Sequence, residues 1–134
     1  MKIGILKEIQ GDKRVALLPE NVVKLQQMHA AVWVEQGAGE GAFISDREYE
    51  QAGAQVVSGQ EVVQQAELLI RIHPLVSQEM THLESGKVVL SLINPLVNKE
   101  IIKTAADKGL TTFSLDMIPR STRAQKMDAL SSQA

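Results

Sequence analysis

Cysteine is absent from all 134 residues, which excludes disulfides and thiolate metal sites and fits a reducing, cytosolic setting. Aromatic residues are scarce as well: one Trp, one Tyr and two Phe, 3% of the chain. Single-stranded nucleic acids stack on aromatic side chains, and phosphates gather around basic patches. With few of the former, no visible cluster of the latter and a formal charge of −2, the composition argues against nucleic acid as a partner. No apolar run approaches the ~20 residues that a membrane-crossing helix needs. The opening MKIGILKEIQ reads as a strand rather than a signal peptide. The expectation is a soluble cytoplasmic domain long enough to bury a core. Because 44% of the residues are hydrophobic and so few are aromatic, that core must be aliphatic.

What is present is an alternation of short β-branched runs with helix-like segments. Strands are predicted over 2–6, 31–35, 54–57, 68–72, 87–92 and 110–115. Most are nearly continuous in apolar character, as strands covered on both faces should be. Pro19 suits a first helical turn, and Val22, Leu25 and Met28 recur behind it every three residues. Ser45 with Glu48, and Ser58 with Glu61, match capping boxes. Asn98 is placed to cap a helix that buries Ile101, Ile102 and Ala105 and ends at Gly109. The pattern predicts an α/β fold: an open, mostly parallel sheet with helices on both faces, three-layered and Rossmann- or flavodoxin-like. The expected organisation is one α/β domain over 1–118, followed by a separate loop and helix over 119–134.

Several places could carry chemistry. Gly37-Ala-Gly39-Glu-Gly41 follows a strand, but a dinucleotide fingerprint needs G-x-G-x-x-G running directly into a helix. Here the spacing is G-x-G-x-G, and Phe43-Ile44 intervene before the next cap, so a structural turn is expected. The charged loop from Lys7 to Arg14 ends the first strand, where open α/β sheets bind ligands. Arg14 could clamp a carboxylate or phosphate, or the loop could simply be solvated. Arg71-Ile-His73-Pro74 and Asn94-Pro95 end the fourth and fifth strands, so Arg14, Arg71 and Asn94 are a candidate ligand pocket. His73 precedes a proline and is read as structural, although it could titrate near neutrality. His29 and His82 sit in helical segments without obvious partners and look like surface residues. No paired carboxylates, metal-ligand set or serine elbow is visible, so no metal is expected and no base for proton abstraction.

The densest polar cluster lies near the end, DMIPRSTRAQKMDALSSQA over 116–134. If 123–130 is helical, Ala124, Met127 and Leu130 share a face, while Gln125, Asp128 and Ser132 project together from another. An amide and a carboxylate one turn apart can grip a carboxamide and ribose hydroxyls, and Arg120 adds a fixed positive charge. An ordinary amphipathic linker would read the same way.

K-E-x-x-x-x-x-R-V-A-x-x-P from Lys7 to Pro19, V-E-x-G-A-G from Val34 to Gly39, and Y-x-x-A-G-A from Tyr49 to Ala54 together resemble a known family. It is the amino-terminal domain shared by alanine dehydrogenase and NAD(P) transhydrogenase. The alanine dehydrogenase branch carries a substrate lysine and a catalytic histidine at the ends of the fourth and fifth strands, where this chain has Arg71 and Asn94. The ending P-R-x-x-R-A-Q-x-x-D-A-L-S-S-Q-A is similar to the alpha subunit of the proton-translocating transhydrogenase. That resemblance implies hydride transfer between NAD(H) and NADP(H), with Arg120, Gln125 and Asp128 as catalytic residues at the nicotinamide and Ser131 among the cofactor contacts. It also implies partners: an NAD-binding domain with the true glycine fingerprint beyond residue 134, NADP-binding and membrane portions, and a second copy in a homodimer. The protein would then sit peripherally at the cytoplasmic face of the membrane, and this chain alone is expected neither to bind NAD tightly nor to catalyse. The chemistry agrees, because exchanging amine and carbonyl needs a proton donor and acceptor, whereas hydride passage between two nicotinamide rings needs mainly orientation and fixed charge.

Overall fold

The computed structural model describes residues 1–92 and 99–114. Six strands, β1 (Lys2–Ile5), β2 (Ala31–Glu35), β3 (Gln55–Val57), β4 (Leu68–Ile70), β5 (Val88–Ser91) and β6 (Thr111–Ser114), form one sheet in the order β3-β2-β1-β4-β5-β6. Every pairing is parallel, so every connection is a crossover. The first two crossovers run through helices α1 (Pro19–Gln27) and α2 (Asp46–Gln51), and build the sheet outward from β1 in one direction. The next three use α3 (Gly59–Gln65), α4 (Ser77–Met80) and α5 (Lys99–Asp107), and build outward on the opposite side. A right-handed crossover that reverses its direction along the sheet must also change face. Accordingly α1 and α2 cover one face and α3 to α5 the other.

Two cores follow. Ile3, Ile5, Val32 and Val34 of the central strands meet Val22 of α1 and Tyr49 of α2 on the first face. Trp33, Leu69 and Val89 meet Val62 of α3, Met80 of α4 and Ala105 of α5 on the second. Gly4 turns to the second face, where a Cβ would lie 2.6 Å from Val62 Cγ1 and 2.7 Å from Ala66 Cβ. Only glycine lets α3 seat that closely on β1. Beyond β1, the first face bears Leu68, Ile70, Val88 and Leu90, all half-buried, and Phe113, which is exposed.

Among the described residues, β1, β3, β4 and β5 are shorter than expected by one or two residues, although Leu6, Arg71 and Leu92 still donate backbone bonds to the neighbouring chain segments. Residue 115 lies outside the described residues. The Ser45–Glu48 capping box forms in both directions: Ser45 Oγ accepts the Glu48 N–H at 3.3 Å and Glu48 Oε2 accepts the Ser45 N–H at 2.7 Å. At α3 the structure shows the serine half, Ser58 Oγ accepting from the Glu61 N–H. Helix α1 starts at Pro19 with Asn21 Oδ1 accepting the Leu18 N–H at 3.0 Å. It ends sooner than its periodicity suggested: Met28 is the C-cap and His29 has φ 66°, so Met28 is 72% exposed rather than part of the buried stripe. Asn98 lies outside the described residues. The glycine-rich turn is structural as expected. A Cβ on Gly41 would lie 2.7 Å from Lys13 Cα, and one on Gly39 2.9 Å from Ile44 and Tyr49. Among the described residues no helix is long and apolar enough to cross a membrane.

Candidate active site at the switch point

The reversal in strand order places a crevice between the carboxyl ends of β1 and β4, where sheets of this class bind ligands. The loop after β1 carries Glu8, Asp12 and Arg14 to this edge, and the loop after β4 carries Arg71 and His73. Glu8 is buried, yet its carboxylate is fully engaged. Oε2 accepts the Ile72 N–H at 2.7 Å, while Oε1 accepts the His73 N–H at 3.0 Å and lies 3.0 Å from His73 Nδ1. One side chain thus stitches the two loops together across the crevice.

Asp12 approaches the same imidazole nitrogen, its Oδ2 lying 3.2 Å from Nδ1. A tight turn delivers it, with the Asp12 N–H bonded to the Ile9 carbonyl at 3.1 Å and Gly11 at φ 92°. Arg14 closes on Asp12 through three donors: its backbone N–H at 2.8 Å, Nε at 3.1 Å and Nη2 at 2.8 Å. The side-chain bond from Arg14 outweighs the effect of burial and lowers the Asp12 pKa to about 2. The same contact raises Arg14 above its already high value.

Two carboxylate oxygens lie within hydrogen-bond distance of Nδ1, so the tautomer that puts the proton on this nitrogen is the one that lets the ring donate to them. The structure thus gathers a half-buried, carboxylate-held imidazole at this edge, an arrangement that the sequence reading did not assemble. Sequence spacing could not reveal it, because Glu8 and His73 are 65 residues apart. Nor did the sequence suggest any metal-ligand set, yet ligand atoms of Glu8, Asp12 and His73 lie within 4.8 Å of one another. Backbone amides and the Arg14 guanidinium already engage these oxygens, so the cluster is an ion-pair network as it stands.

Arg71 is placed differently from Arg14. It is buried, and Nε donates to the His73 carbonyl at 3.0 Å and Nη2 to the Pro74 carbonyl at 3.0 Å. Nη1 and Nη2 grip the two Glu79 oxygens, each at 2.8 Å. Burial pushes the Glu79 carboxyl up, but the bonds from Arg71 and the Val76 N–H win and hold it below the usual range. Of the three residues read as a ligand pocket, Arg14 reaches the crevice and Arg71 holds the loop behind His73. Asn94 lies outside the described residues, as do Arg120, Gln125, Asp128 and Ser131, the proposed nicotinamide contacts.

An all-parallel, doubly wound sheet with a charged network at its switch point makes this a Rossmann-like α/β domain, here without a glycine fingerprint among the described residues. The chain belongs to the family described as alanine dehydrogenase/PNT, N-terminal domain, which matches residues 4–134. Among known proteins it is 38% identical to NAD(P) transhydrogenase subunit alpha of Cereibacter sphaeroides over 136 residues, covering all of this chain and 26% of that protein. The solved transhydrogenase of Sinorhizobium meliloti superposes with a TM-score of 0.90 at 41% identity, over 99% of this chain and 40% of that one. Alanine dehydrogenase 1 of Staphylococcus aureus is 30% identical across the whole chain, which spans 36% of that enzyme. The chain thus corresponds to well under half the length of these relatives.

Proposed function

We propose that this chain is the first α/β domain of the NAD(H)-binding alpha subunit of a proton-translocating NAD(P) transhydrogenase. In that reading it lines one wall of the nicotinamide site and contributes to hydride transfer between NAD(H) and NADP(H). Arg120, Gln125 and Asp128 orient the rings, and Ser131 adds a cofactor contact. The reading is carried by likeness along the whole chain, 30–41% identical to transhydrogenases, with the highest values among them, against 28–30% for alanine dehydrogenases. The crevice at the switch point supplies a charged rim of the kind such a site requires. The remaining pieces of the assembly would be an NAD-binding domain, NADP-binding and membrane portions, and a second copy in a homodimer, with the protein held peripherally at the cytoplasmic membrane face. One observation favours a second reading: a carboxylate-held His73 beside Arg14 could serve an amino-acid dehydrogenase.

Assaying the gene's full translation product separates the two. Hydride transfer from NADH to an NADP analogue, without NADH oxidation driven by pyruvate and ammonia, is the expected result. The opposite outcome would transfer the chain to the dehydrogenase branch.

A further inference from the structure

We propose that Asp12 is a built-in occupant of the Arg14 guanidinium, closing the switch-point crevice to small oxyanions. An arginine recognises a carboxylate or phosphate through two parallel N–H bonds. In this protein two side-chain donors of Arg14, Nε and Nη2, already hold the two oxygens of Asp12, at 3.1 and 2.8 Å. The backbone N–H of Arg14 adds a third bond to the same carboxylate. Asp12 therefore stands where the carboxylate of a ligand would stand. It is not a floppy surface partner, since its side chain is 11% exposed while that of Arg14 is 55% exposed. The turn at Gly11 and the contact with His73 Nδ1 hold it in place.

The groups in the network point the same way. Arg14 is opposed by Asp12 and by the buried Glu8, both within the network that surrounds His73. Lys7 and Lys13 of the same loop are both exposed to solvent, which screens them. An incoming oxyanion has to displace one carboxylate from Arg14 while still facing the second. A small oxo acid, amino acid or inorganic phosphate is thereby disfavoured at an arginine that would otherwise attract it. Asp12 is on this account a specificity-determining residue, and the inference stands on the geometry of the crevice alone, independent of which reaction the protein serves.

Titration of inorganic phosphate, and separately of acetate, into the 134-residue chain tests the idea, with the Arg14 Nε–H and His73 Nδ1 NMR signals as readout. Asp12→Asn should bind either anion about five- to tenfold more tightly than the wild type, the weight of one unit charge beside a solvated site. Adding Arg14→Gln to Asp12→Asn should abolish the gain. In the wild type the two signals should move with one shared midpoint as Asp12 is displaced. Asp12→Ser serves the same comparison if the asparagine variant does not fold. Equal affinity in wild type and variant, a gain that survives Arg14→Gln, or wild-type signals that move with separate midpoints would overturn the proposal.

Discussion

Arg14 and Arg71 are the same residue type at the same edge of the sheet, and the sequence offers no way to rank them. Their difference lies in partners that the chain brings from elsewhere. Arg71 meets two carbonyls of its own loop and a carboxylate eight residues on, so its charge is neutralised within the protein. Arg71→Gln should therefore destabilise the fold by about 2–4 kcal/mol in urea unfolding, because a half-buried Glu79 and two carbonyls lose their donor. Arg71→Lys should recover little of that, since an ammonium cannot reproduce the fork. A loss below about 0.5 kcal/mol would show that the loop is held by something else. Asp12 makes a prediction in pH. Its folded pKa of about 2 lies below the 3.8 usual for an aspartate, so its contribution is complete above pH ~4 and lost as pH falls toward 2. With Arg14 largely solvated we expect that contribution to be about 1 kcal/mol. Acid unfolding of Asp12→Asn should lack this step between pH 4 and 2. The imidazole network was illegible for the same reason as the arginines: Glu8 and His73 become neighbours only when β4 takes its place beside β1.

At the level of elements, local chemistry was readable wherever a short-range signal fixed it. Pro19 at the start of α1 and the serine caps before α2 and α3 act over three residues, and all are found where the sequence put them. Helix α4 was legible only as an unbounded helical segment around His82, because Ser77–Met80 is a single turn, too short to show a 3.6-residue period. Two further predictions belong here. Gly4→Ala should cost about 1–3 kcal/mol, since its Cβ would overlap Val62 and Ala66 where α3 rests on β1. Thermal unfolding would measure it, and a neutral result would mean that α3 can shift without loss. Phe43 caps the 3-10 turn Glu40–Ala42 with φ 61° and is 95% exposed. Phe43→Asn should raise stability by about 0.5–1 kcal/mol, because asparagine tolerates that backbone region and no packing is lost. A decrease in melting temperature would contradict this.

For the molecule as a whole, alternation of strand and helix was enough to predict a parallel sheet. The strand order was legible only in part: the expected pocket already set the ends of the fourth and fifth strands near the loop after the first, but no residue pattern says on which side of β1 the fourth strand will dock. That choice creates the crevice and hence the candidate site. The domain's glycines at 37, 39 and 41 are occupied with turns and close packing, and its described part shows no glycine-lined helix start for a pyrophosphate. We therefore expect calorimetric titration of the 134-residue chain with NADH to show dissociation no tighter than about 1 mM, or roughly −4 kcal/mol. Micromolar binding would refute this. The strand order also sets a timetable on the ribosome. Strand β1 leaves first, gains β2 on one flank by Glu35, and waits until Ile70 for β4 on the other. At roughly 5–20 residues per second those 35 residues take about 2–7 s to make. For that interval the nascent protein carries a central strand with an open edge, a template on which chaperones or other nascent copies compete with its own fourth strand.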